Sequence, residues 1–116
     1  MSKIVSIATD VPSYKHEQDA ICSFADKIYC NNKTESRKLN YLYRHCGIDT
    51  RYSVIPDYSL PPADRQFYSK SADLEPFPCL EKRMQWYADN AAMLSAKTIQ
   101  KCIAGKIDKD EITHLI

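Results

Sequence analysis

Gly47-Ile48-Asp49-Thr50-Arg51-Tyr52-Ser53-Val54-Ile55-Pro56-Asp57-Tyr58 is the stretch on which the fold turns. Gly47 is one of only 2 glycines in 116 residues, and it follows directly on a helical pattern. The residue after a helix commonly takes a left-handed conformation, which glycine adopts without a Cβ penalty. Thr50–Ile55 then reads as a strand, and Pro56 ends it because proline has no N–H for a ladder.

Working outward toward the amino terminus, Thr34–Cys46 reads as a helix. Asn32 is its expected N-cap, with Glu35 three residues on, and Leu39, Leu42, Tyr43 and Cys46 share a face. Tyr14 to about Cys30 reads as another helix. Its Ile21, Phe24, Ala25, Ile28 and Tyr29 recur at i, i+3, i+4, i+7 and i+8. Lys3–Thr9 reads as a strand, because Ile4, Val5 and Ile7 are β-branched and Asp10-Val11-Pro12 stops the run. Apolar residues on both its faces predict burial on both sides.

Toward the carboxyl terminus, Pro56 to about Cys79 reads as a long irregular loop with a short helical turn near Ala63–Tyr68. Tyr58, Leu60, Phe67, Tyr68, Leu74 and Phe77 predict that it packs and is no free linker. Leu80 to about Ala104 reads as the longest helix, about 37 Å at 1.5 Å per residue. Gly105 is its natural C′ residue. Glu111–Ile116 reads as a third strand. An apolar core strand is a rare way for a domain to finish, so the expectation is a longer parent.

Composition narrows the function classes. Hydrophobic residues make up 44% and charged residues 27%, with a formal net charge of +1 and a pI near 7.6. That balance argues against disorder and against a nucleic-acid partner, which calls for a basic stripe. No signal-peptide pattern and no run of about 20 apolar residues occurs, so the expectation is a cytoplasmic protein with no membrane partner. Cys22, Cys30, Cys46, Cys79 and Cys102 are scattered, with no Cys-x-x-Cys pair. They read as structural thiols in a reducing compartment, with no disulfide framework or zinc site. His16, His45 and His114 have no metal-ligand spacing, and His114 reads as a satisfied core histidine.

Four segments in order resemble the opening of type III (chalcone-synthase-like) polyketide synthases. They are Ile7-Ala8-Thr9-Asp10-Val11-Pro12 with Gln18, the Gly47–Tyr58 stretch, Glu81-Lys82-Arg83-Met84 with Tyr87, and Ile112-Thr113-His114-Leu115-Ile116. The Gly-Ile-x-x-Arg element also occurs in β-ketoacyl-carrier-protein synthases. The Arg-Tyr-Ser-Val-Ile-Pro-Asp-Tyr extension and the Glu-Lys-Arg-Met helix start favour the type III branch. The resemblance covers nearly the whole chain.

It implies an α/β fold: the amino-terminal part of a thiolase-like fold, with three strands, three main helices and an incomplete sheet. Residues 1–116 are then the first segment of a chalcone/stilbene synthase-type domain, ahead of the catalytic cysteine. The parent implied is a homodimeric acyltransferase that condenses malonyl-CoA onto an acyl-CoA starter. Family members use a Cys, a His and an Asn downstream of the Ile-Thr-His-Leu-Ile strand. No catalytic residue is therefore expected here, and no activity from this segment alone. Coenzyme A thioesters are substrates of the parent; no cofactor or metal is implied.

The site candidates are basic residues: Arg37, Lys38, Arg44 and Arg51 fall close together in sequence. In the family, basic groups on this helix contact coenzyme A phosphates. Aligned without gaps on Arg51, Lys38 falls on such a lysine, whereas Tyr41 and His45 replace a family arginine and lysine. A small shift lets Arg44 supply one of those charges. Lys38 and Arg44 are thus the expected phosphate contacts; the competing reading is a solvated helix face. Arg51 is expected to make a structural ion pair, Glu81 to suit the positive helix end, and Arg83 to bridge to the proline-rich loop. Exposed strand edges and an apolar helix stripe predict self-association, with strand exchange as one form of it. Two alternatives stand beside this reading: a β-ketoacyl-carrier-protein synthase parent, and a non-catalytic interaction module of the same ancestry.

Overall fold

The computed structural model describes residues 4–113. They fall into two units: Pro12–Arg83, and another drawn from Met1–Val11 and Met84–Ile116. Among the described residues the fold is mixed α/β, with three α-helices and one two-stranded antiparallel sheet.

The Pro12–Arg83 unit opens with strand β1, Tyr14–Glu17, which runs directly into helix α1, Gln18–Tyr29. Helix α2, Lys33–His45, packs back against α1, and strand β2, Thr50–Ser53, returns to pair with β1. The register sets Tyr14 opposite Ser53 and His16 opposite Arg51. Sequence periodicity places helix over 14–17, and the structure corrects this. In Tyr14-Lys15-His16-Glu17 only His16 is buried, as expected of a strand with one face covered.

Helix α2 is fixed by local chemistry at both ends. The Asn32 side chain accepts from Thr34 N and Glu35 N, both at 3.0 Å, and Glu35 Oε2 accepts from Asn31 N at 2.8 Å. Those bonds satisfy amides that a helix start otherwise leaves without partners. At the other end Gly47 has φ 69°, as its position predicts.

The loop beyond β2 is ordered around one carboxylate. Asp57 is fully buried and accepts from the backbone amides of Gln66 (2.9 Å), Phe67 (2.9 Å) and Tyr68 (2.7 Å). Arg65, also buried, donates to the carbonyls of Ser69 and Ser71 and lies over the Phe24 ring. Phe67 and Leu74 join Cys22, Phe24 and Ala25 in the core, so the loop packs as its apolar content predicts. The helical turn expected near Ala63–Tyr68 is a 3₁₀ turn at Pro62–Asp64. The ammonium of Lys82, rather than Arg83, bridges to this loop, donating to the carbonyls of Gln66 and Phe67.

In the other unit, helix α3, Leu80–Ile103, supplies its residues from Met84 onward. Gly105 follows it with φ 66°. Residues 4–9, the described part of the predicted doubly buried strand Lys3–Thr9, have no partner strand among the described residues, and Ile4 and Ile7 are 81% and 75% exposed. Ser6, Ala8 and Asp10 turn inward instead. Ser6 Oγ donates to the Cys102 carbonyl at 2.7 Å, and Asp10 pairs with Lys97 and Lys101. β-Branched residues favour extended backbone, but a strand exists only where a neighbour takes its N–H and C=O groups. Of the third predicted strand, Glu111 belongs instead to a 3₁₀ turn, Lys109–Glu111, closed by a reciprocal cap between Asp108 and Glu111, and Ile112 and Thr113 form no strand. His114 and the rest of that segment lie outside the described residues.

Candidate functional site

Helix α2 buries none of its residues fully and offers its outer face to solvent. Lys38 lies there with Arg37, Tyr41 and Leu42 around an open depression of about 440 Å³. Among the described residues neither Arg37 nor Lys38 forms an ion pair. Two cations without counter-charges suit a phosphate, with Arg giving a fork of donors and Lys a point charge.

Arg44 is not brought to Lys38. Six residues along a helix of 3.6 per turn leave the two side chains about 120° apart. Arg44 lines a separate depression with Glu17, Asp19 and Asp49. That acidic surrounding repels a phosphate and makes Arg44 a compensating charge. Tyr41 and His45 form a local stack, with ring centroids 4.1 Å apart and His45 Nδ1 2.8 Å from the Tyr41 carbonyl.

On the inner side of α2 a groove of about 450 Å³ runs between α1, α2 and β2. Ile21, Phe24 and Ile28 line it from α1, Leu42 from α2, and Tyr58 and Tyr68 from the loop. Arg51 is the one charged residue among its lining residues. Sequence reasoning expects an ion pair for Arg51, and the structure gives it none among the described residues. Instead Arg51 Nε donates to Gln18 Oε1 at 2.9 Å, and the guanidinium lies 6.0 Å from the Tyr43 ring centroid. Gln18 is itself buried and anchored, its amide donating to the Tyr43 carbonyl and to Cys46 Sγ. Burial, followed by the hydrogen bond with Tyr68, pushes the Tyr58 phenol well above the usual range, so the groove wall carries no phenolate.

Buried His16 links the sheet to the loop. Its Nε2 lies 3.0 Å from the Ile55 carbonyl, which can only accept, so Nε2 carries the proton. In the neutral ring Nδ1 then accepts from the Ser59 hydroxyl at 2.7 Å. The amides of Ser59 and Leu60 are taken up by the carbonyls of Pro56 and Asp57. No pair of N–H donors from these residues faces the hydroxyl, so the link reads as structural.

The thiols divide: Cys22 is buried and Cys30 and Cys102 are half-buried, as structural thiols should be, whereas Cys46 and Cys79 are exposed. All five cysteines are free. Burial, then the nearby Asp26 and Asp19 carboxylates, pushes Cys22 up, and burial with a hydrogen bond to Asp26 does the same to Cys30. Both changes oppose thiolate formation. Among the described residues no group of three His, Cys, Asp or Glu side chains is placed to hold a metal, and no helix is long and apolar enough to cross a membrane. No family model, curated protein or solved structure matches this chain.

Proposed function

We propose that this chain is the amino-terminal segment of a type III polyketide synthase, and that it contributes a coenzyme A-binding surface to that enzyme rather than its nucleophile. The reading rests on the four ordered motifs, and one structural observation carries it: Arg37 and Lys38 sit unpaired on the open face of α2. The parent's reaction is acyl transfer from a CoA starter followed by decarboxylative condensation with malonyl-CoA. Lys38 holds a phosphate of the CoA moiety, Arg37 takes the place first given to Arg44, and acyl capture belongs to a cysteine outside this chain.

Calorimetric titration with coenzyme A tests the binding role. Saturable binding that weakens several-fold in Lys38→Ala and in Arg37→Ala supports it, and equal affinity in all three proteins removes it. Mixing the chain with an acyl-CoA tests the division of labour: a covalently acylated product places the nucleophile here and overturns the reading. Turnover by the parent enzyme of malonyl groups on a carrier protein, but not on coenzyme A, replaces the parent with a β-ketoacyl-carrier-protein synthase.

Self-association is the second element of the proposal. Leu80, Met84, Tyr87 and Met93 of α3 are each more than half exposed, and such apolar surface favours contact between copies. A monomeric sedimentation profile at micromolar concentration counts against it.

A further inference from the structure

We propose that the groove between α1, α2 and β2 is a binding site for an amphipathic anion, a carboxylate on an aliphatic tail, with Arg51 taking the head group. The groove shares Leu42 with the Lys38 depression but has its own cation, so the proposal does not depend on the coenzyme A reading. Its volume, about 450 Å³, lies within the range of small-molecule pockets, roughly 300–1,000 Å³. Ile21, Phe24, Ala25, Ile28 and Leu42 give the tail an apolar channel.

Charge decides the head group. Arg51 alone among the lining residues is charged, and no carboxylate of the described chain pairs with it. Arg51 is exposed to water at the groove and has no counter-ion among the described residues, and a carboxylate supplies one through two parallel N–H···O bonds. The cation is also held in place. Only Nε is engaged, by buried Gln18, which is fixed through the Tyr43 carbonyl and Cys46 Sγ. Both terminal nitrogens therefore stay available for a ligand. The hydroxyl of Tyr58 remains protonated and offers no competing negative charge.

The test is calorimetric titration with dodecanoate, below its micelle concentration, and with the neutral 1-dodecanol. Wild-type protein is expected to bind dodecanoate saturably at one site per chain. Arg51→Met is expected to weaken dodecanoate about tenfold while leaving dodecanol unchanged. Ala25→Trp fills the groove and is expected to abolish binding of both; Leu42→Trp at the exposed rim repeats that test if Ala25→Trp does not fold. Lys38→Ala is expected to bind dodecanoate like the wild type, so the result stands apart from the coenzyme A experiment. Any of three results overturns the proposal: no saturable dodecanoate binding, unchanged affinity in Arg51→Met, or full binding in a folded groove-filling variant. A concentration-dependent dimer that Ala25→Trp disperses, with no uptake of dodecanoate, assigns the groove to a second copy instead.

Discussion

Lys101 Nζ lies 2.9 Å from Asp10 Oδ1, and Lys97 Nζ lies 3.3 Å from the other oxygen of the same carboxylate. The Asp10 side chain is only 7% exposed, so both lysines reach inward to a group the chain has mostly covered. Their effect, led by the Lys101 hydrogen bond, lowers the Asp10 pKa from 3.8 to about 2, against the opposing pull of burial. A carboxylate with a depressed folded pKa stabilises the fold fully above its unfolded pKa. That contribution is lost as pH falls from about 4 through about 2. Trp86, the sole tryptophan and a residue of the same unit, is the reporter. Its fluorescence is expected to show an acid transition in this window, moved to higher pH by Lys101→Met.

Removing the Asp57 carboxylate takes the acceptor from three backbone amides, that of Phe67 buried and those of Gln66 and Tyr68 part-buried. Asp57→Ala is expected to cost about 1–3 kcal/mol, the cost of leaving the buried Phe67 amide unsatisfied, with smaller additions from the two part-buried amides. Asp57→Asn keeps one carbonyl oxygen and is expected to lose less. Urea midpoints with an unchanged slope check both, and an Asp57→Ala midpoint equal to the wild type contradicts the hydrogen-bond assignment.

The two ends of α2 can be tested separately. Asn32→Ala removes the acceptor for two amides and is expected to cost about 1 kcal/mol. At Gly47 a Cβ meets nothing within 4 Å, so Gly47→Ala costs only the left-handed backbone strain, about 1–2 kcal/mol. Helical circular dichroism followed through urea unfolding reads both.

Thiol labelling separates the cysteines by exposure. Cys46 and Cys79 are exposed and are expected to react first with iodoacetamide; Cys22, buried and with its pKa raised, is expected to react last. Peptide mass mapping over a time course gives the order, and early loss of Cys22 contradicts the packing of α1.

In a parent enzyme carrying this segment, Lys38→Ala is expected to raise KM for CoA thioesters several-fold while kcat holds. That pattern marks binding shared by ground and transition states. A fall in kcat with unchanged KM points away from a phosphate contact.

Legibility followed range. Helix α2, its Asn32 cap and its Gly47 stop were readable because every interaction that makes them lies within a few residues. Strand β1 was not, since Tyr14–Glu17 becomes a strand only by pairing with Thr50–Ser53. A four-residue run with one buried side chain also carries too little alternation to compete with the helical pattern beyond it. The extended segment around Ile7 shows the converse. Its residue types favour a strand, but no partner strand lies beside it among the described residues, and its Ser6 and Asp10 are the groups held against α3. Of the candidate site, Lys38 is singled out through the resemblance alone, and its place on the open face of α2 follows from the helical pattern. Its separation from Arg44 was already implied by helical geometry, but two of the acidic neighbours of Arg44, Glu17 and Asp19, come from a segment distant in sequence. The Arg51–Gln18 pair was not legible, because the bond joins the start of α1 to β2.

The Asp57 carboxylate grips main-chain amides, not side chains, and this sets where the surface tolerates change. At Gln66, whose side chain faces water, the backbone path is dictated from beneath whatever residue stands there. Dyes, affinity handles or short epitopes can therefore be attached at that spot with the fold left intact, provided the aspartate below is kept.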